Sequence, residues 1–140
     1  MSGRLDIQQC RQCGLVVEVL RDGGSELRCC GRVMDRLPEK SFAAGRQRHI
    51  PLFELVGERL RVTVGQPPHE MGHGHCLQWI EVIADGRSYR QFLRPGLLPQ
   101  ATFELATHTI DDAYVRLMCS QHGLWTSSTP LLLAGRLVSA

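Results

Sequence analysis

One stretch of the chain reads Pro68-His69-Glu70-Met71-Gly72-His73-Gly74-His75-Cys76-Leu77-Gln78-Trp79. It places three histidines and a cysteine within eight residues, and it then leads directly into an apolar segment of strand character, Leu77 to Ala84. Imidazole and thiolate groups are common ligands of transition metals. A glycine-containing loop that carries such groups and is anchored on a strand therefore predicts a metal site beside a β-sheet.

The residues on either side of this stretch predict an all-β domain. The segment Leu60-Arg61-Val62-Thr63-Val64 alternates between apolar and polar residues with a period of two. Asp85-Gly86 is a strong hairpin turn, and Pro51 suits an edge strand because proline lacks an amide donor. Further candidate strands are residues 50–55, 87–93, 103–105, 114–118 and 123–126. Short strands at this spacing, without a convincing amphipathic helix, predict an antiparallel sandwich.

Residues 1–37 are a second candidate domain, marked by the cysteine pattern Cys10-x-x-Cys13 and Cys29-Cys30. Between the two pairs, residues 15–20 are strand-like and residues 21–25 contain Asp-Gly and Gly-Gly turn sequences. This order predicts a hairpin that brings the cysteine pairs together. So short a domain cannot bury a sufficient core. A metal ion held by four thiolates would supply the missing folding free energy.

Other interpretations also fit these cysteines. Two disulfides would stabilise the domain, and either zinc or iron could occupy a tetrathiolate site. We expect a cytoplasmic protein, because no apolar signal-peptide segment follows Met1. Cytosolic cysteines are more often reduced metal ligands than disulfides. Since Cys29 and Cys30 are neighbours, we expect them to open one sulfur–metal–sulfur angle.

The length of 140 residues and the net charge of +2 limit the class of protein. The chain accommodates the small domain, a linker at about residues 37–41 and a larger domain over residues 38–140. We expect no binding to nucleic acid, because the charge is small and no basic stripe is interleaved with aromatic residues. We expect no membrane insertion, because no apolar run approaches the length of a spanning helix. Residues 129–140 form a tail that could pack on a dimer partner or on the sandwich.

Five side chains of the larger domain are candidate ligands of a second metal: His49, His69, His75, Cys119 and His122. Four imidazoles and one thiolate suit a first-row transition metal that changes oxidation state. A closed structural zinc site would stop at four ligands, whereas five ligands around a six-coordinate metal leave one position open. The thiolate would donate electron density toward that position, which favours electron transfer to a molecule bound there.

Several motifs occur in a specific order and spacing: His49-Ile50-Pro51, Pro68-His69-x-Met71-x-x-x-His75, Trp79-Ile80-Glu81, Asp85-Gly86-Arg87-Ser88-Tyr89 and Cys119-x-x-His122-Gly123-x-Trp125. Together with the cysteine pattern, they resemble the desulfoferrodoxin family, the two-iron form of superoxide reductase. The resemblance covers residues 5 to about 126.

The resemblance implies two non-haem iron ions per chain. One would lie in a desulforedoxin-like domain, and the second in an immunoglobulin-like sandwich, with four equatorial histidines and an axial cysteine. The first iron would be held by Cys10, Cys13, Cys29 and Cys30, and the second by His49, His69, His75, His122 and Cys119. The resemblance further implies a homodimer that reduces superoxide to hydrogen peroxide by one electron. A rubredoxin-like or other cellular electron donor would then reduce the iron again.

The chain departs from the family beside His49. The family usually has Glu-Lys there, whereas this chain has Gln47 and Arg48. In the family the glutamate can bind the oxidised iron, and the lysine attracts superoxide and helps to place the water that protonates the product. Neutral Gln47 should bind iron poorly, whereas Arg48 keeps the charge on a wider and more rigid group. We therefore expect near-normal capture of superoxide with altered proton delivery, unless Arg48 is only a solvated surface residue.

Two other functions fit parts of the pattern. The changes at Gln47 and Arg48 could leave an iron electron-transfer protein without efficient superoxide reduction, although a carrier needs no open coordination position. A structural zinc protein would explain the four cysteines of the small domain but not the candidate ligands of the larger one. We assign no metal role to His73, Cys76 or His108, and we expect Cys76 to be a small buried apolar residue.

Overall fold

The computed structural model describes residues 5–40, 49–84, 86–105 and 113–126 of the chain. By its internal contacts the chain divides into two compact units, Met1–Pro38 and Glu39–Ala140. Twelve strands lie in the described residues, and these contain no α-helix. The predicted all-β class is therefore confirmed. In the same ranges no helix is long and apolar enough to cross a membrane.

The first unit contains a three-stranded sheet of order β2-β1-β5 and a short hairpin of β3 and β4. All of these pairs are antiparallel. The strands are β1 (Ile7–Gln9), β2 (Val16–Glu18), β3 (Arg28–Cys29), β4 (Arg32–Val33) and β5 (Asp35–Arg36).

The hairpin that we predicted across residues 21–25 is wrong. Strand β2 pairs instead with β1, through the turn that carries Cys10 and Cys13, and β3 pairs with β4 through the turn that carries Cys30. In the first turn, the Gly14 N–H donates to the Cys10 oxygen over 3.0 Å. In the second, Cys30 and Gly31 have φ values of 54° and 73°, which close a tight reversal. The chain thus reverses at the cysteines, because these short turns bond their own backbone groups.

The second unit is a sandwich of two antiparallel sheets, one of order β10-β7-β6 and the other of order β12-β11-β8-β9. Seven strands in two such sheets form the immunoglobulin-like sandwich that the resemblance implies. Strand β6 lies at a sheet edge, as Pro51 predicts. The strands are β6 (Pro51–Val56), β7 (Arg59–Val64), β8 (Leu77–Ala84), β9 (Arg87–Phe92), β10 (Gln100–Glu104), β11 (Tyr114–Cys119) and β12 (Gly123–Thr126).

The apolar core of the second unit draws on both sheets. The alternation along β7 puts Leu60, Val62 and Val64 into one buried cluster with Ile80 and Val82 of β8. All five are fully excluded from solvent. Because burial of apolar area is the main favourable term in folding, this cluster fixes how the two sheets pack together.

Strand β8 begins with an irregularity beside the candidate site. Its register with β11 shifts between Met118 and Cys119, so that Cys119 pairs with Leu77 rather than with Gln78. Gln78 is exposed, whereas Leu77 and Cys119 both lie in the core cluster. Such irregularities redirect the adjacent side chains. This one occurs where the histidine-containing loop enters the sheet.

Candidate metal centres

Four cysteine sulfurs of the first unit lie close together. The Sγ atom of Cys29 is 3.6 Å from that of Cys13 and 3.9 Å from that of Cys30. With Cys10, all four sulfurs lie within 4.8 Å of one another. A tetrahedral ion with metal–sulfur bonds of about 2.3 Å needs sulfur–sulfur separations of about 3.8 Å, so the group fits one such ion. The widened angle that we expected at the adjacent pair Cys29 and Cys30 stays a prediction.

The pKa values of two of these thiols are shifted in opposite directions. The Cys13 N–H lies 3.5 Å from Cys10 Sγ, and the backbone bond from Cys13 is the main cause that lowers the Cys10 pKa to about 6. The pKa of Cys29 is raised to about 12, chiefly by its hydrogen bond with the Cys13 side chain. Cys10 therefore ionises readily, whereas ionisation of Cys29 is unfavourable without a cation nearby. Metal binding would release the remaining protons.

Four imidazoles form a closed ring in the second unit. The centroids of His49 and His69 are 4.8 Å apart, and those of His69 and His75 are also 4.8 Å apart. The ring is completed by His122, at 5.0 Å from His75 and 5.1 Å from His49. The Sγ atom of Cys119 lies 3.6 Å from His122 Nδ1. Four imidazoles and a thiol around one point can bind one transition-metal ion.

The nitrogen atoms of this ring fit a metal. His49 Nε2 and His69 Nε2 are 3.2 Å apart, so both are directed into the ring. His75 Nε2 is buried and has no hydrogen-bond partner within the part of the chain that the structure describes. An unpaired buried nitrogen costs about 1–3 kcal/mol. A metal ion at the centre of the ring would remove that cost.

Burial keeps these ligands in the protonation states that suit a cation. Desolvation, assisted by the neighbouring histidines, lowers the pKa of His49 to about 3. Desolvation is also the main cause that lowers the pKa of His69, and neutral imidazole is the form that binds metals. Cys119 is 1% exposed, and its burial raises the pKa of the thiol. A thiolate there consequently requires a positive partner.

Three segments supply the second ligand group. The first immediately precedes β6, the second is the loop before β8, and the third is the end of β11 with the turn that follows it. They carry, respectively, His49, then His69 and His75, then Cys119 and His122.

Hydrogen bonds connect the second and third segments. The Cys76 N–H donates to Ser120 Oγ over 3.0 Å, and the Ser120 N–H donates to the Cys76 oxygen over 2.9 Å. Gln121 Nε2 donates to the Gly74 oxygen over 2.7 Å. These bonds hold His75 beside Cys119, although the two residues are far apart in the sequence.

Trp125 and Lys40 support two of the histidines. The Trp125 ring stacks on His49, with centroids 4.3 Å apart and planes inclined by 3°. Its Nε1–H donates to the His122 oxygen over 3.1 Å, and the same oxygen accepts from Lys40 Nζ over 2.7 Å. Lys40 lies in the segment that we predicted as a linker, and it forms a parallel bridge with Trp125.

The structure brings together all nine candidate ligands in two groups. Of the other predicted site residues, Gln47 and Arg48 lie outside the described residues, as do His108 and the tail 129–140. Cys76 is 8% exposed, as expected, and His73 lies exposed outside the ring of histidines.

Two supporting side chains were missed from the sequence. The carboxylate of Glu70 contacts His75, and Lys40 contacts His122. Glu70 could have been noticed, because it directly follows His69. Lys40 lies 82 residues from His122, and no local pattern indicates such a contact.

Models of known protein families match both parts of the chain that carry the candidate ligands. The family described as "Desulfoferrodoxin" matches residues 41–128, and "Desulfoferrodoxin, N-terminal domain" matches residues 2–37. The desulfoferrodoxin of Syntrophotalea carbinolica is 42% identical over 127 residues, which cover 91% of this chain and 98% of that protein. A desulfoferrodoxin homolog of Methanothermobacter thermautotrophicus is 42% identical over 125 residues, which cover 89% of this chain and 99% of that protein.

Solved structures also resemble this chain. The crystal structure of the superoxide reductase from Treponema pallidum matches with a TM-score of 0.69 and 22% identity. The match covers 90% of this chain and 98% of that one. At this level of identity the likeness concerns the fold.

Proposed function

Since the chain belongs to the desulfoferrodoxin family, we propose that it is a superoxide reductase, an oxidoreductase that reduces superoxide to hydrogen peroxide by one electron. Two non-haem iron ions per chain are the cofactors, one for the four cysteines and one for the four histidines with a cysteine. The second group carries the proposal, because four imidazoles and one buried thiolate would supply five ligands and would leave a six-coordinate ion one position for a substrate.

We assign the two irons to different domains. The first iron belongs to a separate domain of residues 1–37 and the second to the catalytic domain of residues 38–140. When bound, the second iron supplies one electron to superoxide, and two protons complete hydrogen peroxide. The ligands of the first iron are Cys10, Cys13, Cys29 and Cys30, and those of the second iron are His49, His69, His75, His122 and Cys119.

The protein environment of Cys119 supports a thiolate ligand. The residue is 1% exposed, which protects the sulfur from solvent and oxidants. The His122 N–H donates to Cys119 Sγ over 3.4 Å, and a hydrogen bond to the charged form favours that form. The His75 side chain is 16% exposed, so the ring of imidazoles reaches solvent on that side.

Residues 47 and 48 have proposed roles in handling the substrate. Arg48 attracts superoxide by its charge and delivers protons differently from the lysine of the family. Gln47 is too weak a ligand to occupy the open position in the oxidised protein. Substituting Arg48→Lys should restore the proton delivery typical of the family, whereas Arg48→Ala should slow the capture of superoxide.

An electron donor, a dimer partner and a cellular compartment complete the proposed function. A rubredoxin-like or other reductase returns the second iron to the ferrous state, and the chain works as a cytoplasmic homodimer.

Rapid mixing of the fully reduced protein with a pulse of superoxide tests the activity. Visible absorbance follows oxidation of the histidine-site iron, and a peroxide assay follows the product. We expect oxidation near the diffusion limit, about 10⁸–10⁹ M⁻¹s⁻¹, with one hydrogen peroxide released for each superoxide. Substituting Cys119→Ser should abolish the visible absorption that arises from thiolate bound to iron, and it should also abolish the rapid oxidation by superoxide. Slow oxidation with both irons present would instead identify an iron electron carrier.

A further inference from the structure

Glu70 contacts two of the four imidazoles. Its carboxylate Oε2 lies 3.3 Å from His75 Nδ1, and its backbone oxygen lies 2.7 Å from His69 Nδ1. A carboxylate and a carbonyl oxygen only accept hydrogen bonds, so the Nδ1–H of each histidine is the donor. In each ring the lone pair that a metal needs is therefore on Nε2.

The Nε2 atoms converge on one place. His69 Nε2 lies 3.2 Å from His49 Nε2. His75 Nε2 is buried and lacks a hydrogen-bond partner among residues that the structure describes. The rings of His69 and His75 are neighbours, with centroids 4.8 Å apart. A single residue thus sets the tautomer and orientation of two adjacent ligands, one through its side chain and the other through its backbone.

We propose that Glu70 is a positioning residue of the histidine centre, which orients His69 and His75 and adds negative charge at the edge of the metal. The inference rests on the iron centre of the proposed function. A carboxylate that accepts from a ligand imidazole makes that imidazole a stronger electron donor. It strengthens metal binding, and it stabilises ferric iron more than ferrous iron. The Glu70 side chain is 55% exposed, so solvent and salt weaken its charge without breaking the hydrogen bond.

Two substitutions separate the hydrogen bond from the charge. Glu70→Gln keeps a side-chain acceptor oxygen and removes the charge, whereas Glu70→Ala removes both and leaves the backbone bond to His69 in place. Glu104→Gln is the matched control, because it makes the same change of charge at a side chain that is 80% exposed and pairs with Arg59.

Two measurements on the full-length protein read out the effect without an activity assay. Competition with a chelator gives the affinity of the histidine centre for ferrous iron, and a redox titration followed by visible absorbance gives its reduction potential. We expect Glu70→Ala to weaken the ferrous-iron affinity by about 10–100-fold and to raise the potential. Glu70→Gln should raise the potential with a smaller loss of affinity, and Glu104→Gln should change neither.

Unchanged affinity and potential in Glu70→Ala, or an equal change in Glu104→Gln, would overturn the role of Glu70. The proposed function fails in a different way, through a wild-type protein that binds no ferrous iron at its histidines or that reacts slowly with superoxide.

Discussion

Replacing Glu81 by glutamine removes one charge from an ion pair that is almost fully excluded from water. Glu81 is 0% exposed and Arg116 is 1% exposed, and they lie directly opposite each other on β8 and β11. Arg116 donates to Glu81 Oε1 through Nε over 2.9 Å and through Nη2 over 2.7 Å. Ser88 Oγ and Arg90 Nη2 donate to the other oxygen, each over 2.5 Å. The carboxylate therefore compensates two guanidinium groups.

The expected loss follows from what the substitution leaves behind. Removing one partner of a buried ion pair costs about 3–5 kcal/mol, because the other charge stays buried without compensation. Arg116 Nη1 also donates to Glu39 Oε1 over 3.1 Å, and that side chain is 43% exposed. We therefore expect the lower end, about 3 kcal/mol of unfolding free energy. At about 4 °C per kcal/mol for a unit of this size, the Tm should fall by roughly 12 °C.

Thermal unfolding of the iron-loaded protein under anaerobic conditions, followed by circular dichroism, measures this loss. The matched control is Glu104→Gln, because Glu104 and Arg59 also face each other across an antiparallel strand pair. Their side chains are 80% and 66% exposed, so the control should lose at most about 1 kcal/mol. Equal losses in the two variants would refute the reasoning that burial sets the value of the Glu81 pair.

Two further predictions concern the histidine centre. Lys40→Met removes the cation that donates a hydrogen bond to the His122 oxygen, so the free energy of unfolding should fall by about 1–2 kcal/mol. The reduction potential of the histidine-site iron should also fall, because a nearby positive charge favours ferrous iron. Lys40→Arg is the control for charge, and a redox titration that finds Lys40→Met at the wild-type potential would contradict this role. Burial lowers the pKa of His49 from 6.5 to about 3, so between these values the unfolded chain binds a proton that the folded metal-free chain does not. The unfolding free energy of the metal-free protein should consequently rise with pH from about 3 to 6.5, and urea titrations that find no slope in this window would disprove it.

The strands that could be predicted are those marked by a pattern in neighbouring residues. The alternation of residues 60–64 and the apolar run from Leu77 indicated β7 and β8 because a strand presents successive side chains to opposite faces. The short strands β1 and β5 escaped prediction, since two or three residues carry too little pattern. The pairing of β2 with β1 was also missed, because the tight turns at the cysteines override the turn sequence of residues 21–25.

The longer strands, the all-β class and the chemical types of the candidate ligands can be predicted from the sequence alone, because side-chain period and ligand chemistry are properties of single residues and their near neighbours. Only the tertiary structure decided which distant groups meet. His49 contacts His69 across 20 residues, and Lys40 contacts His122 across 82 residues. It also decided that the charges of Glu81 and Arg116 are buried. Such contacts depend on how both sheets pack, and burial is a collective property of the whole fold that no short segment contains.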